Sequence, residues 1–567
     1  MSKTSKRFAI MLLMIAIVPL LLFAGAQKET QKATFNTMIK AEPTILDPQQ
    51  FRDDDATSII YALHEPLIRI SGDGGRSTEP GLAEKIVANA DFTVFTATLR
   101  PTNKWQDGTA ITAEDVVYSF RRAIDPAIGS KKANDYFLLK NAEAIYLSRT
   151  EAGATALPFE DLGVKALSEY VVEFTLQSPV EFFLDYLKNP GWAPIQKAAG
   201  EKYGELYGTE SDKVVASGPF TLARWDHNAS VTLVKNANYW DAANVKLDEV
   251  YINLISDANT QMSLYDTGML DFVTISQDVA NGGKYPNAQS LPQLRVSFIE
   301  FNPNPTIEGV EFNYFQNAKI REALSLTFDR RAYAAQILKQ PEVAAYGMVP
   351  YGMRGENGGD FREQVGDVVF DMNNFTGGTF DGKTYAAGKD GAVSRAKDLL
   401  AQGLAELGKT KAEMERVAIV HCINSAGSIT QAEAIQAMWK QYLDLNIKVV
   451  PLDIGVLLPM LMSTTFQCVV GGGRTAQTFD VDYMLNFVYT ENKWLDPTFR
   501  SLYEKVLDAS GNERIKLLKD VEKMVVDNFV YIPQVNAITN FVVADRVSGF
   551  KMYPLSVQFD YKYIQVK

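Results

Sequence analysis

An alternation of short apolar strands with helices in the C-terminal third of the chain constrains the fold most. We expect strands at Val417–Ile423, Ile447–Leu452 and Phe466–Val470, and helices at Thr430–Asp444 and Leu457–Ser463. Strands that alternate with helices pair in parallel, and ligands bind beyond the shared carboxyl edge of such strands. The sequence therefore predicts an α/β fold whose ligand edge lies beside Gly471–Gly473.

Other segments predict further structural units, because 567 residues exceed what one hydrophobic core usually organises. Thr93–Leu99 alternates apolar and polar residues, as a half-buried strand does. Thr112 is a candidate helix N-cap with Asp115 three residues later, and this helix is expected to stop at Asp125-Pro126. Residues 354–391 are rich in Gly, Asp and Asn, which predicts a long surface loop.

The first 26 residues have the pattern of a secretory signal peptide. A positively charged start is followed by an apolar run from Phe8 to Phe23 and by Ala24-Gly25-Ala26. The alternative is an uncleaved membrane anchor, but the run is shorter than the roughly 20 residues that a spanning helix needs. No cysteine lies near the boundary. We therefore expect residues 1–26 to be cleaved and the mature protein to be periplasmic without a lipid anchor.

Charge and motif content argue against several classes of function. The formal net charge of −12 disfavours nucleic acid as a partner, because phosphate binding needs a concentrated basic surface. The three histidines, His64, His227 and His421, show no metal-ligand spacing. Asp480 and Asp482 could in principle serve glycoside hydrolysis, but acid pairs in loops are common. We expect a protein that is not an enzyme and uses no cofactor or metal.

The two cysteines, Cys422 and Cys468, each lie in a strand-like run. In an oxidising compartment they could form one disulfide if the two strands are neighbours. The alternative is two buried thiols, and the sequence leaves both open.

A set of landmarks now resembles one family, the extracytoplasmic solute-binding proteins of ABC importers, in the oligopeptide and dipeptide receptor class. The landmarks are Ala41–Pro48 (AEPTILDP), Lys104–Thr109 with Thr112–Val116 (KWQDGT, TAEDV), Ser217–Phe220 (SGPF), Asn236–Asp241 (NANYWD) and Lys319–Arg330 (KIREALSLTFDR). Their order and spacing are similar to those of the family from about residue 36 to the C-terminus.

The resemblance implies a periplasmic-binding-protein-like, two-lobed clamp with mixed sheets flanked by helices. Lobe 1 is expected to comprise residues 34–58, 213–303 and 531–567, with an inserted subdomain at 59–212 and lobe 2 at 304–530. Ligand is expected to be enclosed by hinge closure. An importer permease and its ATPase are implied as partners of a monomeric receptor.

The resemblance also implies two ligand anchors that hold an extended peptide by main-chain hydrogen bonds. One anchor is the opening stretch Glu42-Pro43-Thr44, and the other runs from Gly472 and Gly473 to Gln477. Peptide-binding members of the family carry in the second anchor a Trp and, three residues on, an Asp that pairs with the α-ammonium of the peptide.

This chain departs from that pattern, since Arg474 stands at the Trp position and Gln477 at the Asp position. Three interpretations stay open. The peptide amine is met elsewhere, by Asp480 or Asp482; the ligand is an oligosaccharide, with Gln477 bonding hydroxyls and Tyr483 stacking on a sugar ring; or the alignment of this loop is shifted by a residue or two.

Overall fold

The computed structural model describes residues 32–51, 53–71, 75–130, 132–340, 343–490, 494 and 496–567. The expected signal segment 1–26 lies outside the described residues. Within the described part of the chain, no helix is long and apolar enough to cross a membrane.

The strands of the described residues form three larger sheets and three two-stranded ribbons. In chain order they are β1 (Thr34–Ile39), β2 (Ile68–Ile70), β3 (Thr78–Pro80), β4 (Ala83–Ala88), β5 (Val94–Leu99), β6 (Val164–Ser168), β7 (Val171–Thr175), β8 (Phe220–Asp226), β9 (Ser230–Lys235), β10 (Glu249–Leu254), β11 (Phe272–Ile275), β12 (Gln289–Phe301), β13 (Gly378–Phe380), β14 (Lys383–Tyr385), β15 (Ile419–Ile423), β16 (Lys448–Leu452), β17 (Cys468–Thr475), β18 (Tyr531–Val543), β19 (Val547–Ser548) and β20 (Gln565–Val566).

The α-helices pack around these sheets. In chain order they are α1 (Asp54–Leu63), α2 (Ala113–Ala123), α3 (Ala142–Thr150), α4 (Phe183–Leu187), α5 (Lys197–Tyr203), α6 (Ala258–Asp266), α7 (Gln277–Asn281), α8 (Ala318–Leu326), α9 (Arg330–Ala332), α10 (Phe361–Val365), α11 (Lys389–Glu406), α12 (Lys411–Val417), α13 (Ala426–Leu443), α14 (Ile454–Met462), α15 (Asp482–Thr490), α16 (Pro497–Asp508) and α17 (Gly511–Asp527).

Each of the three larger sheets has its own arrangement. The first has the order β1-β10-β9-β8, the second β4-β5-β7-β6 and the third β11-β18-β12-β17-β15-β16. The second sheet is antiparallel throughout, whereas the third is mixed, with parallel pairing between β15 and its neighbours β16 and β17. The chain thus has the α/β character that the sequence predicted.

Two 13-residue strands, β12 and β18, form the centre of the third sheet. They pair antiparallel from Gln289 opposite Phe541 to Glu300 opposite Tyr531. β11 extends the sheet beside β18, and β17 extends it beside β12. Because β12 and β18 are so long, one sheet joins strands from residues 272–301 and 531–543 to strands from residues 419–475.

The predicted strand–helix alternation is confirmed, with shifted boundaries. β15 begins at Ile419 because Val417 closes helix α12. Helix α13 begins at Ala426, four residues earlier than predicted, because the Ser425 hydroxyl accepts the Ser428 N–H as an N-cap. Strand β17 continues to Thr475 through the three glycines, which the sequence placed in a loop.

Pairing with β12 explains the longer strand. Gly472 lies opposite Phe298, and Thr475 lies opposite Arg295, so the glycine segment is extended by its antiparallel neighbour. A side chain added at Gly473 would come within 3.0 Å of the Val296 carbonyl oxygen, so this strand passes close to β12.

Local signals elsewhere were also read correctly. Strand β5 matches the predicted strand to within one residue. The Thr112 N–H donates to the Asp115 carboxylate at 2.9 Å, and helix α2 ends at Ala123, two residues before Asp125. This reciprocal cap satisfies backbone groups that a helix start leaves unpaired.

The segment 354–391, predicted as a long surface loop or excursion, contains regular structure. It contains helix α10 and the β13–β14 hairpin, and it buries a few widely spaced apolar side chains, including Phe361, Val369 and Met372. The spacing of these anchors follows neither a helical nor a strand period, so the pattern gave no sign of them.

Cys422 and Cys468 are buried free thiols. Their strands are neighbours as proposed, but Cys468 lies opposite Val420 and not opposite Cys422. A diagonal offset of two residues between parallel strands separates the Cα atoms by roughly 8 Å. That distance exceeds the usual range for a disulfide, so the register explains why the thiols stay free.

His64 directly follows helix α1, and its pKa provides a test of how tightly the surrounding residues are packed. His64 is fully buried beside the Tyr207 ring, and burial lowers its pKa to about 3. The unfolded chain, with a His pKa of about 6.5, binds the proton more readily. The contribution of neutral His64 to stability is therefore complete above pH 6.5 and declines as the pH falls towards 3.

We predict that the unfolding free energy, measured by urea denaturation, falls by about 2 kcal/mol less between pH 8 and pH 5 in His64→Gln than in the wild-type protein. The control is His227→Gln, because hydrogen bonds from its ring to the Glu42 and Glu210 carboxylates raise the pKa of exposed His227 and give it the opposite pH dependence. Equal pH dependence in the wild-type protein and His64→Gln would contradict the prediction.

Candidate ligand-binding site

Strand β17 has one edge to which a ligand strand can add. Its residues Gly472–Thr475 pair with β12 on one side. On the other side β15 pairs only with Cys468 and Val469, and no strand of the described chain pairs with the outer edge of Gly472–Thr475. An extended segment with an open edge presents main-chain N–H and C=O groups to another chain. Gly473, one of the predicted site residues, lies exposed on this segment.

Arg474 is held by residues that follow it in the chain. Its guanidinium donates to the Tyr483 carbonyl oxygen and, at 2.8 Å, to the Asn486 side-chain oxygen. It also lies over the Tyr483 ring, 4.3 Å from the centroid. The structure thus brings predicted residues Arg474 and Tyr483 together, and their contact fixes the start of helix α15 against β17. Ligand contact by either side chain stays a prediction.

Gln477 contacts the part of the chain that was expected to form the inserted subdomain. Its side-chain oxygen accepts a hydrogen bond from the Asn189 amide group. The Arg354 guanidinium lies 3.4 Å from the Asp185 carboxylate. A second polar contact therefore joins the expected inserted subdomain to expected lobe 2. Gln477 therefore links residues 185–189 to the segment that follows β17, a role that no sequence motif indicated.

Asp480 and Asp482 are both paired with Arg514. The guanidinium lies 3.0 Å from the Asp480 carboxylate and 3.2 Å from that of Asp482, and the Tyr503 hydroxyl donates to Asp482. Burial raises the pKa of Asp480 despite the nearby Arg514 charge. Because both carboxylates already have a cation, the structure does not favour them as the acceptors for a peptide amine.

The opening stretch is anchored to neighbouring loops. The Glu42 carboxylate accepts hydrogen bonds from the Trp225 indole at 2.8 Å and the Asn228 backbone at 2.9 Å, and it contacts His227. Pro43 is buried, and the exposed Thr44 donates its hydroxyl to Asp53 at 2.9 Å. Ligand contact by Glu42, Pro43 and Thr44 stays a prediction.

A cavity of about 670 Å³ lies near this stretch, and the sequence did not indicate it. It is lined from one side by the end of β1, by helix α1 and by the segments around β11 and β18, and from the other by Leu338 and Gln340. These two groups belong to different expected lobes. A concave site between lobes is the usual location of a small-molecule site.

Side-chain amides span the two sides of this cavity. The Gln277 oxygen accepts hydrogen bonds from Gln340 at 3.2 Å and from Asn540 at 2.8 Å. Gln340 belongs to expected lobe 2, whereas Gln277 and Asn540 belong to expected lobe 1. None of the three belongs to a sequence motif.

An apolar surface lies at the carboxyl edge of β15 and β16. Helix α14 starts directly after β16, and Asn424 after β15 donates to Asp453 at 3.0 Å, so the two strand ends lie together. Large apolar side chains are exposed there, namely Ile423, Ile454, Val456, Leu458 and Met462. This is the edge at which the parallel strands predicted a ligand.

The chain belongs to the bacterial extracellular solute-binding proteins, family 5, whose family model matches residues 77–496. Membership agrees with the fold, the open β17 edge and the cavity described above. It places the chain among proteins that bind solutes outside the cytoplasm.

Two curated relatives illustrate the similarity. The oligopeptide-binding protein OppA of Bacillus subtilis is 27% identical over 93% of this chain and 92% of its own length. The dipeptide-binding protein of Lactococcus lactis subsp. cremoris is 30% identical over 77% of this chain and 76% of its own length.

Solved structures show the same two-lobed periplasmic-binding-protein fold. Listeria monocytogenes OppA bound to peptide superposes with a TM-score of 0.81 at 23% identity, covering 95% of this chain and 100% of that one. The Escherichia coli murein tripeptide binding protein MppA gives a TM-score of 0.79 at 21% identity, covering 95% of this chain and 99% of that one. The predicted family and fold class are confirmed.

The Arg514 ion pairs provide a test of how the β17 loop is held. We predict that Arg514→Met destabilises the protein by about 3–5 kcal/mol, because it leaves two buried carboxylates without a cation. The matched control is Arg416→Met, which removes an exposed pair with Glu311 and costs about 0–1 kcal/mol. Urea unfolding at neutral pH measures both, and equal effects of the two substitutions would contradict the structural role of Arg514.

Proposed function

We propose that this protein is a receptor that encloses a peptide between its two lobes and delivers it to an ABC importer. The open outer edge of Gly472–Thr475 is the observation that carries this proposal, because a peptide can add there as a strand. Main-chain pairing gives affinity for many side-chain sequences, which suits a peptide receptor. The relatives OppA and the dipeptide-binding protein are named for peptides, so we do not carry the oligosaccharide alternative further.

The expected domain boundaries are part of the proposal. The β1-β10-β9-β8 sheet supports a lobe 1 made from residues 34–58, 213–303 and 531–567. The β4-β5-β7-β6 sheet supports an inserted subdomain at 59–212, and strands β15, β16 and β17 support lobe 2 at 304–530. β12 and β18 would then be the hinge strands. Both belong to expected lobe 1 and pair with each other, and β12 also pairs with β17 of expected lobe 2.

The proposed cellular location follows from the family and from the signal-peptide pattern of residues 1–26. We propose a periplasmic monomer that is exported with residues 1–26 as its signal peptide. Its partners are the permease and ATPase of an importer, and it releases its peptide chemically unchanged, without a cofactor.

The first test is ligand binding by protein that has been unfolded and refolded to remove carried-over ligand. We expect short peptides to raise the melting temperature of the mature protein, and oligosaccharides of similar size to leave it unchanged. Bound peptide recovered and analysed by mass spectrometry should be intact. A melting-temperature shift with sugars and none with peptides would overturn the proposal.

A second test addresses the main-chain pairing. A strand added to one sheet edge uses alternate amide groups of the ligand, since successive groups point to opposite sides. We therefore expect N-methylation to abolish binding at alternate peptide positions and to be tolerated at the positions between. Calorimetric titration of a methyl scan measures this pattern, and uniform tolerance along the peptide would contradict strand addition at β17.

A further inference from the structure

We infer that the cavity beside helix α1 binds a positively charged ammonium group of the ligand, with Asp55 as the counter-ion and Gln261 as a second acceptor. This inference rests on the proposed peptide-binding function. It assigns the negative charge that the family pattern places at residue 477 to a different part of the cleft, on expected lobe 1.

Gln261 supplies the first observation. Its side chain is 1% exposed and lines the cavity. Its amide group donates to the Ile255 carbonyl oxygen, but its side-chain oxygen has no hydrogen-bond partner among the described residues. A buried acceptor without a donor costs free energy, so a ligand N–H that reaches it would stabilise the complex.

Asp55 supplies the second observation. It lies in the first turn of helix α1, is partly buried and lines the same cavity. Its two carboxylate oxygens each accept a backbone N–H, from Lys40 at 3.3 Å and Ala41 at 3.1 Å. Each oxygen can accept a further hydrogen bond. Burial raises the pKa of Asp55, and a cation brought beside it would favour the ionised form.

The charged residues of the cavity lining favour a cation over an anion. The Gln277 oxygen is already engaged by Gln340 and Asn540. Lys40 and Asp55 are the charged residues that line the cavity in the described structure. Lys40 is exposed, whereas Asp55 is partly buried. The charge of Asp55 therefore interacts with a ligand charge through a less polar medium, which strengthens the attraction.

The remaining candidate acids are less suitable. Asp480 and Asp482 share the Arg514 guanidinium, and the Gln477 oxygen is bonded to Asn189. Asp55 differs because its carboxylate makes no ion pair within 4.0 Å among the described residues. It is therefore the acid near the lobe interface best placed to gain a partner from the ligand.

The test compares Asp55→Asn with Lys40→Gln by calorimetric titration of peptides that bind the wild-type protein. Asp55→Asn should weaken binding at least 10-fold, because it removes the charge and keeps the size of the side chain. Lys40→Gln should leave affinity unchanged or increase it. The matched control is Asp278→Asn, an exposed acid beside Gln277 that does not line the cavity and should change affinity less than twofold.

The source of the ammonium group is identified by modified peptides. If the terminal amine enters the cavity, N-acetylation weakens binding to the wild-type protein and has no further effect in Asp55→Asn. If a lysine side chain enters, Nε-acetyl-lysine shows that pattern instead. Either result supports the inference.

Equal affinity of the wild-type protein and Asp55→Asn, with unchanged melting temperatures, would overturn the inference, as would tighter binding by Asp55→Asn with weaker binding by Lys40→Gln. Both outcomes leave peptide binding intact. Failure of the proposed function is different, because the wild-type protein would then bind no peptide at all.

Discussion

The antiparallel pairing of β12 with β18 is the constraint on which the rest of the structure depends. These two strands of 13 residues each are about 40 Å long. β11 pairs near one end of the two-stranded unit and β17 pairs near the other. A shift of one residue would turn buried Val296 and Phe298 to the opposite face, so the register is strongly fixed. The positions of the open β17 edge and of the cavity beside β11 follow from this pairing.

Ion pairs inside the protein hold together segments that are far apart in the chain. Buried Arg69 pairs with both Glu65 and Asp560, which joins the region after helix α1 to the C-terminal segment. Arg514 does the same for Asp480 and Asp482 at the end of β17. Buried pairs of this kind contribute little net stability, but losing one partner is costly. They therefore fix the cleft walls and leave few charges available to a ligand.

Local chemistry made part of the fold predictable from the sequence. The reciprocal cap of Thr112 and Asp115 and the strand–helix alternation of residues 419–475 depend on residues close together in the chain, so pattern rules found them. Gly472 and Gly473 of β17 were misjudged because their extended conformation depends on pairing with β12, which lies about 175 residues earlier in the sequence. The two-lobed fold was predicted from the family resemblance, because periodicity alone indicated only the individual strands and helices.

The site was less predictable, because the roles of its residues depend on distant partners. Ligand contact by Gln477 was inferred from its position in a motif and stays a prediction, and the bond of its oxygen to Asn189, 288 residues away, was not foreseen. Asp480 similarly contacts Arg514, 34 residues on. The cavity residues Gln261, Gln277 and Gln340 come from three separate segments of the chain and match no motif. Only tertiary structure shows which polar groups are already paired and which are left for a ligand.

The central claim is that a peptide adds as a strand to Gly472–Thr475 in a cleft closed by the hinge strands β12 and β18. Amide hydrogen exchange of the stripped protein with and without a bound peptide tests it most directly. We predict slower exchange at Gly472–Thr475 when the peptide is present, with little change in the core of the β4-β5-β7-β6 sheet. Saturating peptide that leaves exchange at Gly472–Thr475 unchanged would contradict the account.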